Sequence, residues 1–212
     1  MNARENILGR LRAAQTQTPM AEAAEPSSAI VSDPDVMRFV AALEANHAVV
    51  VSVTREQLPG AIAEQVRALN LSQLVVSEAH HAWLDQLPAS CKPVFWQALG
   101  DTPVDALFDQ PAALTGCYAG ICATGSLVLR PDAHEPRSLS LVPPVHLAVI
   151  ERKNLVAGLD QLLARPGLRE EMPTNLVLVS GPSKTADIQQ TLAYGAHGPH
   201  TLVVFLVQDR PA

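Results

Sequence analysis

Runs of aliphatic residues alternate with stretches of helical spacing along the chain. Ala48 to Val53 (AVVVSV) is continuous and apolar, the pattern of a strand buried on both faces. Glu56 to Leu69 places Ile62, Val66 and Leu69 on one helical face. Leu74 to Ser77 predicts a second strand, His80 to Leu87 a short helix, and Val94 to Trp96 a weaker strand. Upstream, Asp33-Pro34 opens a helix with proline at its first position, and Met37, Val40, Ala41 and Leu43 face inward. Beyond Pro143-Pro144, VHLAVIE is a strand, Val156 to Ala164 a helix, Leu176 to Val179 a strand and Lys184 to Tyr194 a helix. Thr201 to Val207 (TLVVFLV) closes the series as a buried strand. Strands alternating with helices predict an α/β three-layer sandwich with a mostly parallel sheet. The segment Ala113 to Arg130 departs from this pattern. It is rich in Gly, Thr, Val and Cys and predicts two extended segments around Gly120 and Gly125, so the sheet is expected to be mixed.

The N-terminal part differs from the rest. Residues 2–14 carry Ile7, Leu8 and Leu11 on one stripe among charges, an amphipathic helix. Residues 15–33 hold Pro19 and Pro26 among small and polar residues and read as a linker. The expected organisation is therefore helix plus linker over 1–33 and a single α/β domain over 34–212. The first helix can dock on its own domain or on another subunit, which leaves a homo-oligomer open.

Composition narrows the function classes. The 212 residues are 48% hydrophobic, which suits a globular core, and only 4% aromatic, so aliphatics must fill it. The net charge of −6 and the lack of any Lys/Arg run remove the electrostatic footprint of a nucleic-acid binder. No stretch is long and apolar enough for a membrane span, and the charged N-terminus lacks the apolar core of a secretory signal. Three cysteines, Cys91, Cys117 and Cys122, without a CxxC, point to reduced thiols in the cytoplasm. They offer no iron–sulfur or zinc frame, and with no GxGxxG or Walker loop the expectation is a chain without a cofactor.

Four short stretches carry candidate chemistry. Ser180-Gly181-Pro182-Ser183-Lys184-Thr185 ends a strand and opens the expected helix, with Ser183 as its cap. Exposed N–H groups there, helped by Lys184 and two hydroxyls, would hold a small anion at the carboxyl end of the sheet. The plain alternative is a tight capped turn. Asp187, in the first helical turn, suits the macrodipole but would repel an anion beside it. Thr124-Gly125-Ser126 is a hydroxyl-flanked glycine turn, either a ligand cradle or a hairpin glycine. His197-Gly198, within GAHGPH, offers an acid–base or ligand-binding imidazole. The HxxH spacing to His200 lacks a third ligand nearby, so no metal is expected. The fourth stretch is His134, Glu135 and Arg137, where Arg137 could clamp a carboxylate or phosphate, although a solvated surface arginine is the more usual role. No catalytic residue is identified, because neither Ser126 nor Ser183 has a recognisable partner base.

Together GICATGSLVL, RSLSLVPPVHLAVIE and LVLVSGPSKTADIQQTLAYGAHGPHTLVVFLV resemble the LUD-domain proteins, specifically the lactate utilization protein C group. NILGRLRAA and FVAALEANHAVVV resemble that group too, so the likeness spans most of the chain. The resemblance implies a fold similar to the NagB/RpiA/CoA-transferase-like superfamily. It implies a cluster-free subunit of a system that oxidises L-lactate to pyruvate, with iron–sulfur-containing partner subunits. The alternative is a stand-alone enzyme similar to the formyltetrahydrofolate cyclo-ligase or CoA-transferase branches, acting on a phosphate- or CoA-bearing substrate. Two positions depart from the family pattern. Ala123 stands where an acidic residue is frequent, and Lys184 where arginine is common, which loses the bidentate fork.

Overall fold

A computed structural model describes residues 4–10, 34–99, 103–171, 173–186, 192–194 and 197–208. The chain divides into two compact units, Met1–Val31 and Ser32–Ala212. In the first, residues 4–10 form helix α1, every one of them exposed. The expected linker at 15–33 lies outside the described residues.

The second unit opens with α2 (Val36–Ala45). Asp35, rather than the Asp33-Pro34 pair, starts it: its carboxylate accepts the Arg38 N–H at 3.0 Å. Then follow β1 (Val49–Thr54), α3 (Leu58–Ala68), β2 (Gln73–Val76), a 3-10 stretch (Glu78–Leu84), β3 (Lys92–Phe95), α4 (Pro103–Leu107) and β4 (Ala112–Gly116). Next come β5 (Ala119–Ile121), β6 (Ser126–Leu129), α5 (Arg137–Leu141), β7 (Val145–Glu151) and β8 (Leu155–Val156). The chain continues through α6 (Leu159–Leu163), α7 (Pro166–Glu170), β9 (Val177–Val179), β10 (Lys184–Ala186), β11 (Leu192–Tyr194) and β12 (Thr201–Gln208).

Six strands make one all-parallel sheet in the order β1-β12-β7-β4-β2-β3. Alternate residues of a strand point to opposite faces. On one face Leu147, Val149, Val203 and Phe205 pack with Ile62 and Val66 of α3. On the other, Ala148, Ile150, Val204 and Leu206 pack with Phe39 and Leu43 of α2. Both faces are covered, which is why these runs are continuously apolar. The result is a three-layer α/β sandwich with a mostly parallel sheet. Among the described residues no helix is long and apolar enough to cross a membrane.

Several expectations change. Met37, expected to face inward, is exposed, and Phe39 is buried with Leu43 instead. Val156 lies in β8, and the helix expected from it starts at Leu159. The antiparallel strands do not join the main sheet. They form a second, four-stranded sheet, β8-β5-β6-β9, backed by Leu162 of α6 and Leu168 of α7. The expected helix Lys184–Tyr194 is replaced in its described part by an antiparallel pair, with Lys184 opposite Tyr194 and Ala186 opposite Leu192. A helix of that length would hold its ends about 15 Å apart. Here the Ser183 N–H donates to the Pro199 carbonyl at 2.8 Å, which ties the chain in extended form to the loop before β12. Tertiary pairing overrides local helix propensity.

Candidate functional site

With no helix after Ser183, its capping role and the helical anion cradle both fall away. The turn also lies at the other end of the main sheet. The Ser183 bond to Pro199, just before β12, places the turn after β9 at the amino ends of β7 and β12. There Ser180, Gly181, Ser183, His197 and Gly198 line one cavity of about 180 Å³ with His146 and Leu202, the second residues of β7 and β12. Gly181, Ser183, His197 and Gly198, four of the ligand residues chosen from the sequence, thus meet, but not on the expected rim. Lys184 is exposed, the Thr185 side chain is not described, and Asp187 lies outside the described residues.

The Thr124-Gly125-Ser126 turn joins the same region as a structural element. Gly125 has φ +61°, and a Cβ there would stand 2.6 Å from Ala42 Cβ and 2.8 Å from the Leu43 nitrogen. The turn is pressed against α2, which leaves no space for a ligand at this glycine. Gly181, with φ +152°, likewise faces the Asn46 carbonyl, 2.7 Å from a built Cβ. That is the negative end of α2, an unfavourable neighbour for an anion. Ser126 Oγ links Thr124 Oγ1 and Ser180 Oγ, both at 2.7 Å, and so ties the two turns together. Ser126→Ala is expected to cost about 1–2 kcal/mol in urea denaturation, because the buried hydroxyl chain loses its middle member. Thr124→Ala, at an exposed position, should cost less than half as much.

His146 is the residue the sequence reading passed over. It is 1% exposed, and its Nε2 is 2.8 Å from Thr115 Oγ1. Among the described residues its Nδ1 has no partner. Burial pushes the imidazole down to a pKa of about 4, so the ring is neutral at physiological pH. The available signal was a lone imidazole inside the aliphatic VHLAVIE.

A second cavity sits at the carboxyl ends. From β2 the chain moves outward to β3, whereas from β4 the next main-sheet strand, β7, lies on the opposite side. The crevice between β2 and β4 is therefore the topological switch point, where open α/β sheets hold ligands. A cavity of about 260 Å³ lies there, lined among others by His80, Thr115, Gly116, Arg130, Glu135 and Arg137. Ser77, buried after β2, starts the 3-10 stretch that carries His80. The His80 ring stacks on Trp83 at 3.8 Å and 3°. Glu135 Oε1 accepts the Gly116 N–H at 2.8 Å and lies 3.2 Å from His80 Nε2. Asp132 fixes the approach of Glu135 by accepting the His134 and Glu135 N–H groups at 2.7 and 2.8 Å.

Charge in this crevice is predominantly basic. Glu135 is occupied by His80 and Gly116. Arg130 lies over the Tyr118 ring and only 3.8 Å from the exposed Glu171. Arg137 is exposed and has no acidic partner among the described residues. The Cys117 thiol on the cavity wall is pushed well above its usual range by burial and then by Glu135, which disfavours its thiolate form. Of the described residues chosen from the sequence, Arg137 lines this crevice together with Glu135 of the same stretch, to which the sequence assigns no role. His80 was not singled out, since its meeting with Glu135 depends on strands distant in sequence.

Residues 36–207 match the family model described as LUD domain. An uncharacterized protein of Neisseria meningitidis serogroup B is 34% identical over 220 residues, covering 98% of this chain and 94% of that one. A lactate utilization protein C of Deinococcus radiodurans is 33% identical over 171 residues, 73% of this chain and 71% of its own. The crystal structure of a DUF162 family protein from Deinococcus radiodurans superposes with a TM-score of 0.60 at 23% identity, over 81% of this chain and 95% of that one, and shares its fold. A family match that spans the whole α/β domain, joined by a relative similar over almost the full chain, settles the kinship: the chain belongs to the LUD domain family.

Proposed function

We propose that the protein is a cluster-free subunit of a system that oxidises L-lactate to pyruvate, and that it holds a small anionic ligand in the switch-point crevice. The link to lactate is supported by the relatives named lactate utilization protein C. The observation that carries the ligand reading is Arg137, a guanidinium without an acidic partner among the described residues, beside Arg130 on the wall of a crevice at the carboxyl ends of β2 and β4. Such a fork matches a carboxylate bidentately. A volume of about 260 Å³ falls below the usual range for drug-sized ligands, which favours a small carboxylate over a nucleotide or CoA. The redox step would belong to iron–sulfur-containing partner subunits. That this chain carries no cluster is an expectation from its scattered cysteines.

Deletion of the gene should abolish growth on L-lactate as sole carbon source, and the intact gene should restore it. Unimpaired growth of the deletion strain on L-lactate would overturn the proposal. Binding can be followed directly. Trp83 is one of two tryptophans in the chain and stacks on His80 at the crevice, so L-lactate or pyruvate bound there should change the fluorescence. Arg137→Ala is expected to weaken that binding by about 10–100-fold, the loss of a charge-assisted contact. An unchanged dissociation constant would remove the ligand from Arg137.

A further inference from the structure

The cavity around His146 has a different chemistry from the crevice. We propose that it is a binding site for a small uncharged molecule carrying one hydrogen-bonding group on an apolar body. The inference is independent of the lactate reading.

His146 lines the cavity and has one ring nitrogen unsatisfied among the described residues. Its ring is 1% exposed, Thr115 occupies Nε2, and among the described residues Nδ1 is left without a partner. An unsatisfied buried polar atom costs about 1–3 kcal/mol, so an occupant that bonds Nδ1 recovers that loss. A single water could do so, but the cavity measures about 180 Å³, several times the ~30 Å³ share of one water in the liquid. Room remains for a molecule of a few heavy atoms.

The walls select against charge. Among the described residues no Asp, Glu, Lys or Arg lines the cavity. His146 stays neutral down to a pH of about 4. An ion brought there would lose its hydration without gaining a counter-charge. Ser140, Ser183 and the peptide groups of Gly181 and Gly198 offer neutral hydrogen bonds, while Val179 and Leu202 supply apolar surface. His197, exposed at the same cavity, is the one further titratable group among the described lining residues. The Thr115 hydroxyl decides what Nδ1 offers. If Thr115 donates to Nε2, Nδ1 carries the proton and donates to the ligand; if Nε2–H donates to Thr115, Nδ1 accepts. Either tautomer pairs with an amide, a hydroxyl or a ring nitrogen.

The test uses the full chain labelled with 15N at histidine, with the His146 ring nitrogens read by NMR. N-methylacetamide, 2-pyrrolidone and phenol are the uncharged probes; acetate and methylammonium at equal concentration are the charged controls. At least one uncharged probe should move the His146 resonances saturably, and both ions should leave them in place. Ser183→Leu fills the cavity without touching His146 and should weaken that probe by at least about tenfold. This variant keeps the proposal falsifiable should His146→Leu fail to fold. The site is refuted if no uncharged probe moves His146, if either ion moves it as far, or if a folded Ser183→Leu protein binds the probe as tightly as the parent.

Discussion

A valine at Gly125 is expected to cost about 3–5 kcal/mol, enough to leave a large part of the protein unfolded at growth temperature. Two effects add. The backbone at φ +61° is left-handed, which a β-branched residue tolerates poorly. The new Cβ would also meet Ala42 Cβ at 2.6 Å and the Leu43 nitrogen at 2.8 Å, and a helix backbone cannot move aside as a flexible side chain can. The same clash faces Gly125→Ala, so that variant should lie between the parent and valine. Gly167→Ala is the control: nothing stands within 4 Å of its built Cβ and it sits inside α7, so it should be neutral or slightly stabilising. Urea midpoints of the three variants check the ordering. Equal stability of Gly125→Val and the parent would mean that the turn does not rest on α2.

Acid should destabilise the protein through His146. An unfolded histidine takes its proton near pH 6.5, whereas the buried ring refuses it until about pH 4. Between those values the unfolded chain binds the extra proton, so stability falls as pH falls. The contribution is fully present above pH 6.5 and lost by about pH 4, a total on the order of 3 kcal/mol. Glu151 acts in a lower window. Its carboxylate is held below its usual value of 4.5, chiefly by Lys153 and then by Arg55, and its contribution is lost as pH falls below that value. Urea denaturation of the parent and of His146→Leu between pH 7.5 and 4.5 separates the two. The parent should lose stability across this range, and the variant should lose markedly less. Parallel curves would show that His146 does not titrate as a buried ring.

The His146 cavity and the switch-point crevice share Ser140 on α5, and Thr115 of the crevice bonds the ring of the cavity. A ligand in one therefore borders residues of the other. The two proposals fail separately. Loss of Arg137 tests an anion at the carboxyl ends, and filling the space at Ser183 tests an uncharged molecule at the amino ends.

Much of the architecture was legible in the chain itself. VHLAVIE and TLVVFLV read as strands buried on both faces and are so; AVVVSV reads the same way, but β1 is the edge strand of the sheet, with Val49 exposed and Val50 and Val51 half-buried. The glycines of ATGS and SGPS were recognisable as positions with special backbone. What no local pattern contains is the partner of a strand. Whether Val177–Val179 joins the main sheet or pairs antiparallel with β6 depends on contacts some fifty residues away in sequence, such as Leu127 with Val179. Tertiary contacts likewise hold the SGPS turn at the amino ends of the sheet, put Gly125 and Gly181 against α2, and draw Lys184–Ala186 into an extended pair in place of a helix. The sequence by itself determined the layered α/β class, most of the strands and the family. Tertiary structure alone decided which end of the sheet each motif occupies, that His80 and Glu135 meet beside Arg137, and that His146 is buried with one nitrogen unpartnered among the described residues. The physical reason is that burial periodicity is encoded in neighbouring residues, whereas pairing and enclosure are set by residues that meet only when the chain has folded.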